Sequence, residues 1–228
     1  MDDQQQHNRE LLDEHFQDHP DYLKAQDSIY NLPKDRICLF DCETTGLPKN
    51  WKAPMQDLDN WPRVIQLAWM VCDKQGVEIS RNKHLIFPYG WTMPTEKFWI
   101  ENGFTQDNSV LNGKPIEPIL NLFKIDLNRC SVMASHNLSF DYNVVGAEMI
   151  RAGVKVTSKL QKFCTKESGT NLCKIPGQYN SFKWPKLSEL YKFLFSKDFE
   201  GAHDALNDVI ALKECFFELV NRKVIVIQ

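Results

Sequence analysis

Between Arg36 and Gly46 the chain reads RICLFDCETTG, an apolar run that ends in two acids and a turn. Such a run folds as a strand, and a strand places residues i and i+2 on one face. Asp41 and Glu43 therefore share one side of a sheet, about 7 Å apart along the chain, while Cys42 points to the other side. Like charges held that closely raise one another's pKa unless a cation stands between them. The strand pattern recurs in RVIQLAWMVCD and, after DKQGVE, near SRNKHLIFP. Three consecutive strands with a short second link predict an antiparallel meander.

Beyond the meander, a stretch containing Pro, Trp and Thr holds short helices. It is followed by a helix from about Ile116 to Lys124, the strand SVMASH and a helix from about Ser139 to Ala152. The remainder reads as a short strand near LQKFCT, the helix KLSELYKFLF and a long helix from about Asp204 to Asn221. Strand and helix alternating after a meander imply an α/β fold, a mixed sheet covered by helices on both faces.

With 228 residues and 43% hydrophobic content, the chain can build one sizeable core. Two parts are expected: an acidic extension over residues 1–33, partly helical or disordered, and a globular domain over 34–228. The extension holds eight acids and two bases, whereas 34–228 holds 25 Lys and Arg against 22 Asp and Glu. The overall charge of −3 thus conceals a mildly basic domain, and the extension is a possible docking segment for a protein partner. The seven cysteines include no C-x-x-C pair, and the amino terminus has no signal-like region, which points to a reducing cytoplasm. No apolar stretch reaches the roughly 18 residues of a membrane-spanning helix.

Two more acids fall on apolar helix stripes. Asp141 lies three and four residues before Val144 and Val145, and Asp208 lies three, four and eight before Ala211, Leu212 and Phe216. An unpaired carboxylate on a buried stripe costs several kcal/mol even after relaxation, so each needs compensation. A buried Arg or Lys is the plain solution for either acid alone. No Lys or Arg occurs in FDCETTG, HNLSFD or HDALND, however, and four such acids together favour a hard divalent cation, Mg²⁺ or Mn²⁺. His203 lies five residues before Asp208, about 140° around a helix, and so belongs to the entry loop, with Asp204 as N-cap. There it can take a proton from water. His136, at a strand end, reads as a structural hydrogen-bonding group.

FDCETTG, HNLSFD and HDALND resemble, in order, the three motifs of the DEDDh family of 3′→5′ exonucleases, which includes proofreading subunits and oligoribonuclease. The resemblance spans Asp41 to Asp208. It implies a ribonuclease-H-like fold with a five-stranded mixed sheet, an antiparallel meander plus two parallel strands. It also implies that Asp41, Glu43, Asp141 and Asp208 hold two divalent metal ions and that His203 is the general base. Thr44 would contact the terminal nucleotide, Leu47 would wedge against its base, and Asn137 and Phe140 would support the second motif. Where many members read HGIT, this chain has NGFT at Asn102–Thr105, a departure that bears on contacts to the terminal sugar.

The resemblance implies hydrolysis at a 3′ end; the leading reading is DNA, single-stranded or frayed, with RNA or short oligonucleotides as the rival, because the motifs fix the chemistry and not the sugar. A non-catalytic module that binds nucleic acid or a polymerase is the alternative of another class. Two loops mix aromatics with lysines, as single-strand binders do: LPKNWKAPMQDLDNW and CKIPGQYNSFKWPK. Trp51, Lys52, Lys183 and Trp184 are the candidates, set against the simpler role of Trp51, Trp61 and Trp184 in pinning loops to the core.

Overall fold

Strands β1 (Arg36–Thr44), β2 (Val64–Cys72) and β3 (Glu78–Leu85) form the antiparallel meander that the sequence implies. The computed structural model describes residues 35–155, 159–179, 181–201 and 204–227, so the acidic extension and His203 lie outside the described residues. Helices α1 (Lys97–Glu101), α2 (Gln106–Asn112) and α3 (Ile116–Asn128) lead to β4 (Cys130–Ser135), which pairs with β1 in parallel. Helix α4 (Leu138–Arg151) then carries the chain to β5 (Gln161–Cys164), parallel to β4. A parallel pair needs such a crossover because a hairpin cannot join it. The strand order is β3-β2-β1-β4-β5.

Alternation along β1 sorts its side chains into two cores. Cys38, Phe40 and Cys42 pack with residues of α3 and α4. Ile37 and Leu39 pack on the other face with α6 (Leu187–Phe195) and α7 (Ala205–Asn221), which follow α5 (Thr165–Cys173). Asp41 and Glu43 continue the period of Ile37 and Leu39 and so fall on the α7 side. Strand β2 is buried along its whole length, whereas the edge strand β3 alternates and carries Arg81 and Lys83. Charged side chains of this kind keep an edge from pairing with another chain.

Helix α5, TKESGTNLC, is the element that sequence patterning missed. Only Thr165 and Gly169 of it are buried, so it has no apolar stripe to announce it. Packing holds it in place: a Cβ on Gly169 would come within 2.8 Å of Leu190 Cδ1 in α6. No helix among the described residues is long and apolar enough to cross a membrane.

Candidate active site

The site forms where β1 ends. Its register with β2 shifts between Glu43 and Thr44, and such bulges re-aim side chains at the rim of a sheet. Asp41 and Glu43 project there towards the start of α7. Asp204 caps that helix by accepting from the amides of Leu206 and Asn207 at 3.2 and 3.3 Å. One turn on, Asp208 joins the two β1 acids, so that Asp41, Glu43 and Asp208 each offer an oxygen within 4.8 Å of the others. Two groups from the meander dock α7. Gln66, opposite Glu43 on β2, accepts from the Ala205 amide at 2.8 Å, and Lys83 on β3 forms an ion pair with Asp204.

Asp141 approaches from the other core, in the first turn of α4. Its Oδ2 accepts from the Ser135 hydroxyl at 2.7 Å, and its Oδ1 accepts from the Cys42 amide at 3.2 Å and the Cys42 thiol at 3.3 Å. It is thus tied to the neighbour of both β1 acids without belonging to the tight trio. Burial, then Asp141, Asp208 and Glu43, push the Asp41 carboxyl well above the usual carboxylate range. Burial and the Asp208, Asp141 and Asp204 carboxylates raise Glu43 to about 7. Burial raises Asp141 to about 6, against the opposing pull of its hydrogen bonds from Ser135 and Cys42. Protons or cations must neutralise such a cluster near neutral pH. Its all-oxygen donor set, converging from three elements, fits a hard divalent ion.

The Thr44 hydroxyl donates to the Gly46 carbonyl at 2.7 Å, and the Thr44 carbonyl accepts from Trp99 Nε1 at 2.9 Å. Leu47, just beyond, is 72% exposed. The NGFT segment is built into the fold: Phe104 packs with Ile65 and Met93, and Thr105 caps α2. His136 takes the structural role expected of it. Its Nε2 lies 3.0 Å from the Pro185 carbonyl and its Nδ1 2.9 Å from the Thr165 hydroxyl, while burial lowers its pKa to about 4 and keeps the ring neutral. Asn137 adopts a left-handed backbone, φ 105°, that Asn tolerates better than most residues.

The first loop is firmly closed. Asn50 and Asn60 clasp each other by two hydrogen bonds, and the buried Trp61 donates to the Pro54 carbonyl at 3.0 Å, so Trp61 pins the loop. Trp51 is instead 53% exposed, with its ring 5.7 Å from that of Phe140, and Lys52 is exposed. Trp184 is 61% exposed. Lys183 already has a carboxylate partner, Glu189, at 2.6 Å. Lys166 and Gln66 were not identified from sequence, because each meets a group far away in the chain, and Ser135 was not because its hydroxyl reaches Asp141 across the strand-to-helix turn, which no strand or helix period marks.

The chain thus presents a five-stranded mixed sheet flanked by helices, with acids gathered at a strand end and two helix starts. Residues 38–216 match the RNase T exonuclease family, most of the chain, and the chain belongs to that family of DEDD-type 3′→5′ exonucleases. Solved structures agree in fold. Escherichia coli exonuclease I in complex with a dA16 oligonucleotide is 16% identical with a TM-score of 0.63, over 83% of this chain and 41% of that one. The zinc-bound form of its complex with single-stranded DNA is 18% identical, TM-score 0.61, over 83% and 41%. Exonuclease I from Methylocaldum szegediense is 16% identical, TM-score 0.61, over 82% and 41%. The chain thus spans less than half the length of these proteins. No curated protein matches the sequence.

Proposed function

We propose that this protein is a metal-dependent 3′→5′ exonuclease that removes nucleoside 5′-monophosphates from the 3′ end of single-stranded or frayed DNA. The convergence of Asp41, Glu43 and Asp208 within 4.8 Å carries this reading. These three, with Asp141 beside them, would hold two divalent ions, Mg²⁺ or Mn²⁺. The ions supply the activation of water and the neutralisation of charge at the phosphate. Asp141 keeps its place through Ser135 and Cys42, and the docked first turn of α7 sets Asp208 against β1. His203, immediately before the Asp204 cap, takes the proton from the attacking water. The exposed Leu47 packs against the terminal base, and Thr44 meets the terminal nucleotide. Trp51, exposed and backed by Phe140, the neighbour of Asp141, offers a further stacking surface.

DNA is favoured because exonuclease I, the structural neighbour, is seen with dA16 and dT13 oligonucleotides. A binding-only module would have no use for mutually repelling, partly buried acids. The test is digestion of 5′-labelled single-stranded DNA, duplex DNA and RNA with Mg²⁺, Mn²⁺ or chelator. A ladder shortening from the 3′ end, fastest on single-stranded DNA and abolished by chelator and by Asp41→Asn, is expected. Internal cuts would overturn the exonuclease reading, faster loss of RNA would move the substrate, and no hydrolysis of any oligonucleotide would leave the binding module.

A further inference from the structure

We propose that Lys166 and Trp184 form a subsite for the single-stranded part of the substrate, the ammonium taking a backbone phosphate and the indole an unpaired base. The subsite deepens the exonuclease reading and rests on it only for the identity of the strand. Lys166 lies in the first turn of α5, where the positive end of the helix dipole disfavours a cation. Its partners are neutral: Nζ donates to Asn137 Oδ1 at 2.5 Å and stands 4.1 Å from the centre of the Trp184 ring. Among the described residues no ion pair joins it to a carboxylate, and what sets it apart from other lysines so placed is that its ammonium is held at once by Asn137 and the exposed Trp184 ring. A cation set against its own helix and left without an acid lacks an anion, and a phosphate diester supplies one.

Trp184 is presented rather than loosely exposed. On one side of it the Lys183 amide donates to the Ile175 carbonyl at 2.9 Å, and on the other the Pro185 carbonyl lies 3.0 Å from His136 Nε2. A large aromatic held in a fixed frame and still 61% exposed is a preformed stacking surface, with little order left to impose on binding. The position links it to the chemistry. His136 and Asn137, which anchor Pro185 and Lys166, directly follow Ser135, whose hydroxyl holds Asp141. A paired base is already stacked within its duplex, so the subsite selects single strands.

Lys183, the neighbour of Trp184 in sequence, is not the cation of this pair. Its charge is taken up by Glu189, which also accepts from the Lys186 amide at 2.8 Å and so holds the start of α6.

The test is fluorescence anisotropy of a labelled dT12 oligonucleotide with the full chain in chelator, and again in Ca²⁺, from 20 to 200 mM salt. Trp184→Ala should weaken binding about 5- to 150-fold, the range of one lost base stack, and Trp184→Phe should recover most of it. Lys166→Met should lower the slope of log affinity against log salt by about 0.7, one single-strand phosphate. Blunt duplex binding should be unchanged by Trp184→Ala. Variants whose melting curves match the parent but whose dT12 affinity and salt slope do not move would overturn the subsite, as would equal losses on duplex or no binding of the parent chain. Losses on dT12 with a parent chain that hydrolyses nothing would uphold the subsite while removing the exonuclease reading.

Discussion

Replacing Glu148 by Gln should destabilise the fold by about 3 kcal/mol. Glu148 lies seven residues after Asp141 on the same stripe of α4, and its side chain is 0% exposed. Oε1 accepts from Arg63 Nε at 2.6 Å and from the Val64 amide at 3.2 Å, and Oε2 accepts from Arg63 Nη2 at 3.1 Å. Arg151 stands 3.2 Å away through Nη1 while its Nη2 donates to the Leu58 and Trp61 carbonyls. The Arg63 carbonyl in turn accepts from the Thr45 amide, and the Arg63 amide donates to the Thr45 hydroxyl, just past the β1 acids. One carboxylate therefore ties α4, the start of β2 and the loop after β1 together.

Removing one partner of a buried pair costs about 3–5 kcal/mol because the other charge stays buried. Arg63 and Arg151 side chains are 28% and 18% exposed, so water relieves part of that cost and the lower figure applies. Against a total stability of about 5–15 kcal/mol this is a large fraction. It corresponds to a fall in Tm of about 6–12 °C for a chain of this size. Urea unfolding followed by circular dichroism, in chelator throughout, measures it. The variant Glu148→Leu with Arg63→Met should recover part of the loss, since only one stranded charge then remains, Arg151, whose Nη2 keeps the Leu58 and Trp61 carbonyls. A loss below about 1 kcal/mol for Glu148→Gln would refute the reasoning, because a carboxylate with this many bonds would then contribute no more than a surface pair.

The acid cluster makes stability depend on pH and metal in a stated direction. Glu43 rises from an ordinary value of 4.5 to about 7 and Asp141 from 3.8 to about 6, so the folded chain binds these protons more tightly than the unfolded one. That contribution is complete below about pH 4 and is lost as pH climbs through about 6–7. In chelator the Tm should therefore fall between pH 5 and 8, and Mg²⁺ or Mn²⁺ should raise it most at the upper end. Scanning calorimetry across the series decides this, and a Tm that climbs with pH in chelator, or ignores both ions, would contradict it. Gln66→Leu should strand the Ala205 amide, costing about 1–3 kcal/mol, and by loosening the first turn of α7 should weaken Mn²⁺ uptake by calorimetry. Unchanged Mn²⁺ affinity in the folded variant would show that Gln66 does not position Asp208.

What could be read from the sequence was what obeys a local period. Asp41 and Glu43 had to share a face because strands alternate, and Asp208 had to face the sheet because Ala211 and Leu212 do. The same rule marked Asp141, yet it marks Glu148 equally well, seven residues on along the same stripe. One of these acids is neutralised by Arg63, 85 residues away in sequence, while the other points back to Cys42 and adds to the charge of the β1 acids. No spacing rule separates the two outcomes, since the partner of a buried charge is chosen by which strands and loops become neighbours. Helix α5 escaped for the same reason: its polar sequence has no stripe, and it forms because Gly169 lets Leu190 approach. Lys183 and Lys166 make the point at the surface. The mix of aromatics and lysines in one loop suggested Lys183, which the fold sets beside Glu189, while the cation over the indole comes from the start of a helix that local patterning could not see. Buried and functional charges are thus legible in a sequence as questions, and the fold answers them by supplying either an opposite charge or more of the same sign.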